Sequence, residues 1–294
     1  MTRTHLLGLM FAVTAAVGLS AQSYVPHRVF DTARGQFSDF ETMVAALAKA
    51  DVVFVGEQHD DPNTHRLERA ILEGLARRRG DVILSLEMFE RDVQARLDQF
   101  RSGQLGESEF LAASRPWPRY ATDYKPLVDF ALAQQWPVIA ANIPRPFASE
   151  ISKAGLDVLS SKSASDKAWF AADWQCPTDD DYYRRFKEVM GSHTGAAEMD
   201  RYYGSQCLKD ETMAESIAIG WSAAAAAKPG TRPLLVHYNG AFHSDYGLGT
   251  ASRVRRRLPA AHTVVVSMVP GVNLDAVATG EHQQKGDFIV FTVK

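Results

Sequence analysis

Four short apolar runs, each ending at a carboxylate, an amide or an imidazole, constrain this chain more than any other feature. They are Val52-Val-Phe-Val55, Val82-Ile-Leu-Ser-Leu86, Val138-Ile-Ala-Ala141 and Leu234-Leu-Val236. Glu57 and His59 follow the first, Glu87 the second and Asn142 the third. His237, with His243 a little further on, follows the fourth. Runs of this length, rich in β-branched residues, read as strands buried on both faces. Between the first two, Thr64 to Arg79 has Leu67, Ile71, Leu72 and Leu75 at helical spacing, with arginines opposite. This strand–helix–strand alternation predicts an α/β fold: a mostly parallel central sheet flanked by helices, with the polar tips on one edge. Thr263 to Met268 reads as a fifth strand, and Gly286 to Val293 as a sixth, antiparallel at an edge. Tyr24 to Gly35 looks extended and says little. From about 146 to 227 no strand pattern occurs, and aromatic-rich helical patterns predict a helical insertion over the C-terminal edge of the strands.

The N-terminus sets the compartment. Arg3 and His5 precede an apolar run from Leu6 to Val17, and small residues follow up to Ala21. This is the pattern of a secretory signal peptide over residues 1–22, which leaves 23–294 as a single domain. The apolar run is shorter than the roughly 20 residues a membrane-spanning helix needs. The expected location is the periplasm or cell envelope, and no cysteine near the cleavage region could carry a lipid. Cys176 and Cys207 are the two cysteines. An oxidising compartment permits a bridge between them, and spacing leaves a bridge and two free thiols both open. The formal net charge of −3 gives no basic excess, so a nucleic-acid partner is not expected.

Two chemistries can be read from the side chains. The strand-tip residues Glu57, His59, Glu87, His237 and His243 are of the types that bind a divalent metal ion, and Glu57 or His59 could act as general base of a hydrolase. Taken singly, each could as well be satisfying loop amides; agreement among four tips weighs against that for the set. His65, His262 and His282 carry no such support and read as ordinary surface or core histidines. The insertion offers the second chemistry. Tyr182, Tyr183, Arg184 and, beyond them, His193 could serve haem, a phenolate or imidazole on the iron and an arginine on a propionate. Aromatic residues at helical spacing are also the ordinary content of a core.

Ordered motifs add a family resemblance. Val55-Gly-Glu-Gln-His59 with His65, Leu86-Glu-Met-Phe-Glu90, Tyr124-Lys-Pro-Leu127, Ala141-Asn-Ile-Pro-Arg145, Gln206 to Ala214 and Asn239-Gly-Ala-Phe-His243 fall in sequence. Together, over roughly 30–268, they resemble the ChaN-like haem-binding uptake proteins of the Tiki superfamily. The resemblance implies an envelope protein that binds haem and serves haem or iron uptake with other envelope components. In a known case the protein is a homodimer, with haems stacked between subunits and iron held by tyrosine. It places that tyrosine in the helical region, where Tyr183 and Tyr182 are the candidates and His193 a second polar partner. Relatives in the superfamily are hydrolases: Tiki proteins are described as metal-dependent proteases, and erythromycin esterases activate water with a His and Glu pair. The alternative function is therefore a metal-dependent esterase or peptidase using Glu57, His59, Glu87, His237 and His243.

Overall fold

The computed structural model describes residues 24–191 and 195–293. The expected signal peptide and His193 lie outside them. The chain opens with β1 (His27–Asp31) and β2 (Gln36–Ser38), then α1 (Phe40–Leu47), β3 (Val52–Glu57), α2 (Pro62–Ala76) and β4 (Val82–Glu90). Next come α3 (Gln94–Arg101), α4 (Glu107–Ser114), α5 (Tyr120–Asp123), α6 (Lys125–Ala133) and β5 (Val138–Asn142). A stretch without strands follows: α7 (Arg145–Ala154), α8 (Ala164–Lys167), α9 (Asp181–Met190) and the long α10 (Ala196–Ala227). The chain closes with β6 (Leu234–Gly240), α11 (Gly249–Arg257), β7 (Thr263–Val269) and β8 (Phe288–Thr292).

All eight strands join one sheet in the order β2-β1-β8-β7-β3-β6-β4-β5. From β8 to β5 every pairing is parallel, and the β1–β2 hairpin adds to β8 in the antiparallel sense. The fold class is the α/β class that the alternation predicts. The last strand differs from its reading: β8 is parallel to β7, and the antiparallel edge belongs to β1 and β2. Every residue of β8 is buried because β1 pairs along it from His27↔Thr292 to Asp31↔Phe288.

Alternation within the strands divides the core into two layers. Val53 and Val55 of β3 face one side, where they pack with Met43 and Leu47 of α1 and Leu67, Ile71 and Leu72 of α2. Val52 and Phe54 face the other, against Ala214 and Ile217 of α10 and Ala251 and Val254 of α11. A period of two on a strand covered on both faces produces this split, and it explains why β3 is apolar throughout. The start of α2 is set two residues earlier than periodicity suggests. Asp61 caps it by accepting from the Thr64 amide at 2.6 Å, and Pro62 takes the first helical turn, where a missing N–H costs nothing.

The long helix has two roles. Its C-terminal half packs on β5 and β6 as a flank of the sheet, while its N-terminal half rises with α9 past the strand tips. Two covalent and ionic ties fix it. Cys207 of α10 is bridged to Cys176. One turn on, buried Glu211 accepts Arg253, Arg256 and Arg257 of α11 at 3.2, 2.6 and 2.7 Å. The bridge closes a loop with a sequence separation of 31, and a loop of that size stabilises by about 3.7 kcal/mol through the unfolded chain. Replacing both cysteines by serine is expected to lower Tm by roughly 5–10 °C in thermal unfolding; an unchanged Tm would contradict this account of the tie.

Candidate functional site

Parallel strands present their C-terminal ends together, and a cleft of about 900 Å³ lies beyond that edge. Glu57, His59, Glu87, Asn142 and His243 contribute to its floor, and α9 forms a wall. Two glycines allow the floor to close. A Cβ on Gly56 would stand 2.9 Å from Ser244 Oγ and 3.0 Å from Ala241 Cα, so the turn carrying His243 can lie directly on β3. A Cβ on Gly240 would meet His59 Nε2 at 2.6 Å.

The floor holds two adjoining networks of charge. In the first, the buried Glu57 takes His59 Nδ1 at 2.5 Å and the Tyr124 hydroxyl at 2.8 Å on Oε1. Its Oε2 faces His65 Nδ1 at 3.3 Å, and that nitrogen also lies 3.1 Å from Glu68 Oε2. Burial alone would raise the Glu57 pKa. Hydrogen bonds from His59 and His65 outweigh it and hold the group well below the usual carboxylate range. His59 stands at the cleft with its side chain 46 % exposed and its ring edge-on to Trp117. Desolvation disfavours its charge, but the Glu57 hydrogen bond and the Glu87 and Glu57 charges raise its pKa.

In the second network His243 is clamped between two carboxylates. Its Nδ1 meets Asp210 of α10 at 2.7 Å and its Nε2 meets Glu87 of β4 at 3.2 Å. Asp210 also accepts from Tyr182 Oη at 2.5 Å and Thr250 Oγ1 at 2.7 Å, and Glu87 accepts from the Gly240 amide at 2.8 Å. Burial works against the His243 charge, yet Glu87 and Asp210 raise its pKa to about 10. The same pairing brings Glu87, despite its burial, down to about 2.

The five strand-tip residues therefore do not form one metal set. His243 has a carboxylate at each ring nitrogen and no lone pair left to offer. His237 lies a layer below, opposite Phe54 and Ser85 in the sheet register, with Nδ1 on Ser85 Oγ at 2.9 Å. Its complete burial lowers its pKa to about 3. Among the described residues, the group of buried donors close enough to share an ion is Glu57, His65 and Glu68.

Helical geometry also sorts the aromatic wall. Tyr182, Arg185, Phe186 and Val189 of α9 line the cleft, at the 3- and 4-residue steps of one helix face. Tyr183 and Arg184 are on other faces. The Tyr183 hydroxyl bonds Asp200 and its ring packs edge-on to Tyr203, while Arg184 pairs with Asp181. Phe242 completes the apolar wall against Tyr182 and Phe186. Arg145, Arg185, Lys209 and Lys285 place cationic heads around it, and Tyr246 lies at the cleft with Arg185 over its ring, 3.2 Å from the centroid.

Several site residues escape a reading by strand tips. His65 and Glu68 precede Leu72 and Leu75 by helical steps, so they continue the buried stripe of α2 and point at β3. That spacing was the available signal. Asp210 and Glu211 sit between the buried Cys207 and Ala214, where an acid must find a partner. Tyr246 and Arg185 carry no sequence signal that separates them from surface residues.

The model of the family described as "Haem-binding uptake, Tiki superfamily, ChaN" matches residues 43–254. The chain belongs to this family. Among solved structures it is similar to ChaN of Campylobacter jejuni, described as showing cofacial heme binding. The TM-score is 0.66 at 17 % identity, covering 91 % of this chain and 97 % of that one. At that identity the likeness concerns the fold. A mutant of the erythromycin esterase EreC in its open conformation matches with a TM-score of 0.47 and 12 % identity, over 91 % of this chain and 83 % of that one. No curated protein matches the chain.

The clamp on His243 has a pH signature. Its folded pKa of about 10 exceeds the ordinary 6.5, so its contribution is fully present below pH 6.5 and is lost as pH rises toward 10. Thermal unfolding should show Tm falling by several degrees from pH 6.5 to about pH 9.5, with a shallower fall in His243→Gln. An equal slope in that variant would contradict the clamp.

Proposed function

We propose that this protein carries ferric haem in the cleft beyond the strand tips and serves haem or iron uptake in the bacterial cell envelope. The observation that carries the reading is the make-up of the cleft. About 900 Å³ is ample for a drug- or cofactor-sized ligand. One wall is apolar and aromatic, from Phe186, Val189 and Phe242, and suits a flat macrocycle. The cations Arg185, Lys209 and Lys285 suit two propionates, while Arg145 is already paired with Glu90. Family membership supports the same ligand. The Cys176–Cys207 bridge supports export to an oxidising compartment.

In this reading the iron ligand is a tyrosine of the cleft. Bound haem would supply a ferric centre that a hard phenolate oxygen suits. Tyr182 is fully buried, and its hydroxyl is committed to Asp210. Burial and that carboxylate both raise its pKa well above the ordinary value, against formation of a phenolate. Tyr246 has no such tie and is the better candidate, with Arg185 held over its ring. Tyr183 and Arg184 would reach the cleft only by turning α9. Val189, 72 % exposed, marks an open side of the cleft. A second copy of the chain facing it would cover the haem's outer face, an arrangement compatible with the cofacial heme binding described for the Campylobacter protein.

Haemin titrated into the purified protein should give a Soret band distinct from free haemin, saturating at one equivalent per chain. Tyr246→Phe should abolish the ferric–phenolate charge-transfer band and weaken binding by at least roughly tenfold. A spectrum like that of free haemin, or one unaffected by replacing Tyr246 and Tyr182 together with phenylalanine, would sink the proposal.

A second reading, ester or peptide hydrolysis, is favoured by the Glu57–His59 pair standing at the cleft. Glu57 and His59 are hydrogen-bonded at 2.5 Å, and in this reading one of them takes the proton of an attacking water. Glu57→Gln tests this on a panel of activated esters and peptides. Turnover unchanged by that substitution would remove it.

A further inference from the structure

Behind the cleft floor lies a set of groups that haem binding does not use. We propose that Glu57, His65 and Glu68 form a binding site for a first-row divalent cation of the zinc, manganese or iron(II) class. One donor atom from each lies within 4.8 Å of the other two, and all three residues are buried. Their spacing is that of ligands around one ion. His65 Nδ1 is 3.3 Å from Glu57 Oε2 and 3.1 Å from Glu68 Oε2. Neighbouring donors about 2.1 Å from a common metal stand roughly 3–3.5 Å apart.

The orientation of His65 points the same way. Its Nε2 faces two acceptors, the His59 carbonyl at 3.2 Å and Asp123 Oδ2 at 3.4 Å, so that nitrogen carries the ring proton. Nδ1 then directs a lone pair into the space between two carboxylates, where only a cation or an added proton gives a favourable arrangement. Carboxylate or carbonyl support of the far nitrogen is the usual way a metal-binding imidazole is fixed. Glu57 is oriented likewise. Tyr124 and His59 both hold Oε1, which turns Oε2 inward. Glu68 Oε1, buried in the group, has no hydrogen-bond partner, and Glu57 Oε2 has only His65 Nδ1 at 3.3 Å. Leaving buried acceptors unpaired is costly, and metal coordination would satisfy them.

The scaffold suits a fixed site. His65 and Glu68 are one turn apart on α2, whose start is capped by Asp61, and Glu57 ends a central strand. A small cavity of about 200 Å³ lined by His65 and Asp123 lies beside the group, and Glu57 also lines the cleft.

The inference rests on neither functional reading above, and its test uses metal alone on haem-free protein. After chelation, Co2+ should bind at one equivalent per chain with visible d–d bands, and Zn2+ should displace it. His65→Gln and Glu68→Gln should each weaken Co2+ binding by roughly 10–100-fold while haemin binding persists. Pulsed EPR of bound Mn2+ in the unaltered protein should show one coordinated imidazole nitrogen, a readout that does not depend on the variants folding. No saturable Co2+ binding would overturn the proposal and leave the proton as the resident cation. Equal affinity in both variants, or Mn2+ without a nitrogen ligand, would overturn it as well.

Discussion

His243 ties the strand tips of the sheet to the long helix α10. His243 leaves the end of β6, reaches Glu87 on β4 with one nitrogen and meets Asp210 on α10 with the other. Removing one partner from such a pair leaves an uncompensated buried charge, typically costing 3–5 kcal/mol. The clamp is also a hub. Asp210 gathers the hydroxyls of Tyr182 on α9 and Thr250 on α11, so one carboxylate fixes three helices against the strand tips. Glu211, the next residue, is buried on another face of α10 and takes three arginines from α11. Adjacent acids on α10 thus anchor it in two directions.

The cleft follows from that anchoring. With its C-terminal half packed on the sheet, α10 must carry its N-terminal half, and α9 with it, beyond the strand ends. The space between is floored by charged groups paired with one another. What remains available to a ligand is the wall: Phe186, Val189 and Phe242, with arginines and lysines around them. A ligand that is apolar on its faces and anionic at its rim matches this division. The same division argues against assigning the floor to catalysis by its residue types alone, since His243 and Glu87 are consumed by the clamp.

Much of this was legible in the chain and some was not, for physical reasons. The β3, β4, β5 and β6 runs are buried on both faces, so an unbroken apolar pattern located them and their tips. Strand direction is not written in such a pattern; β8 reads the same whether parallel or antiparallel, and its burial depends on β1, whose sequence is unremarkable. Glu57, His59 and Glu87 share an edge because parallel strands end together. His237, three residues before the end of its strand, falls below that edge on the α10 face. On α9 the difference between Tyr182 and Tyr183, or Arg185 and Arg184, is one helical step of about 100°. Only the packing of Tyr182 onto Phe242 and Asp210 says which face turns inward. His65 lies in a visible helical stripe and reads as an ordinary surface or core histidine unless Glu68, one turn on, is taken with it.

The central claim is that haem occupies the space between the strand tips and α9, and a crystal structure of the protein grown with haemin tests it most directly. The account predicts a porphyrin lying against Phe186, Val189 and Phe242, with its iron on the Tyr246 oxygen and its propionates toward Arg185 and the neighbouring lysines. A porphyrin bound elsewhere on the surface, or a cleft filled with iron held by none of its tyrosines, would contradict it.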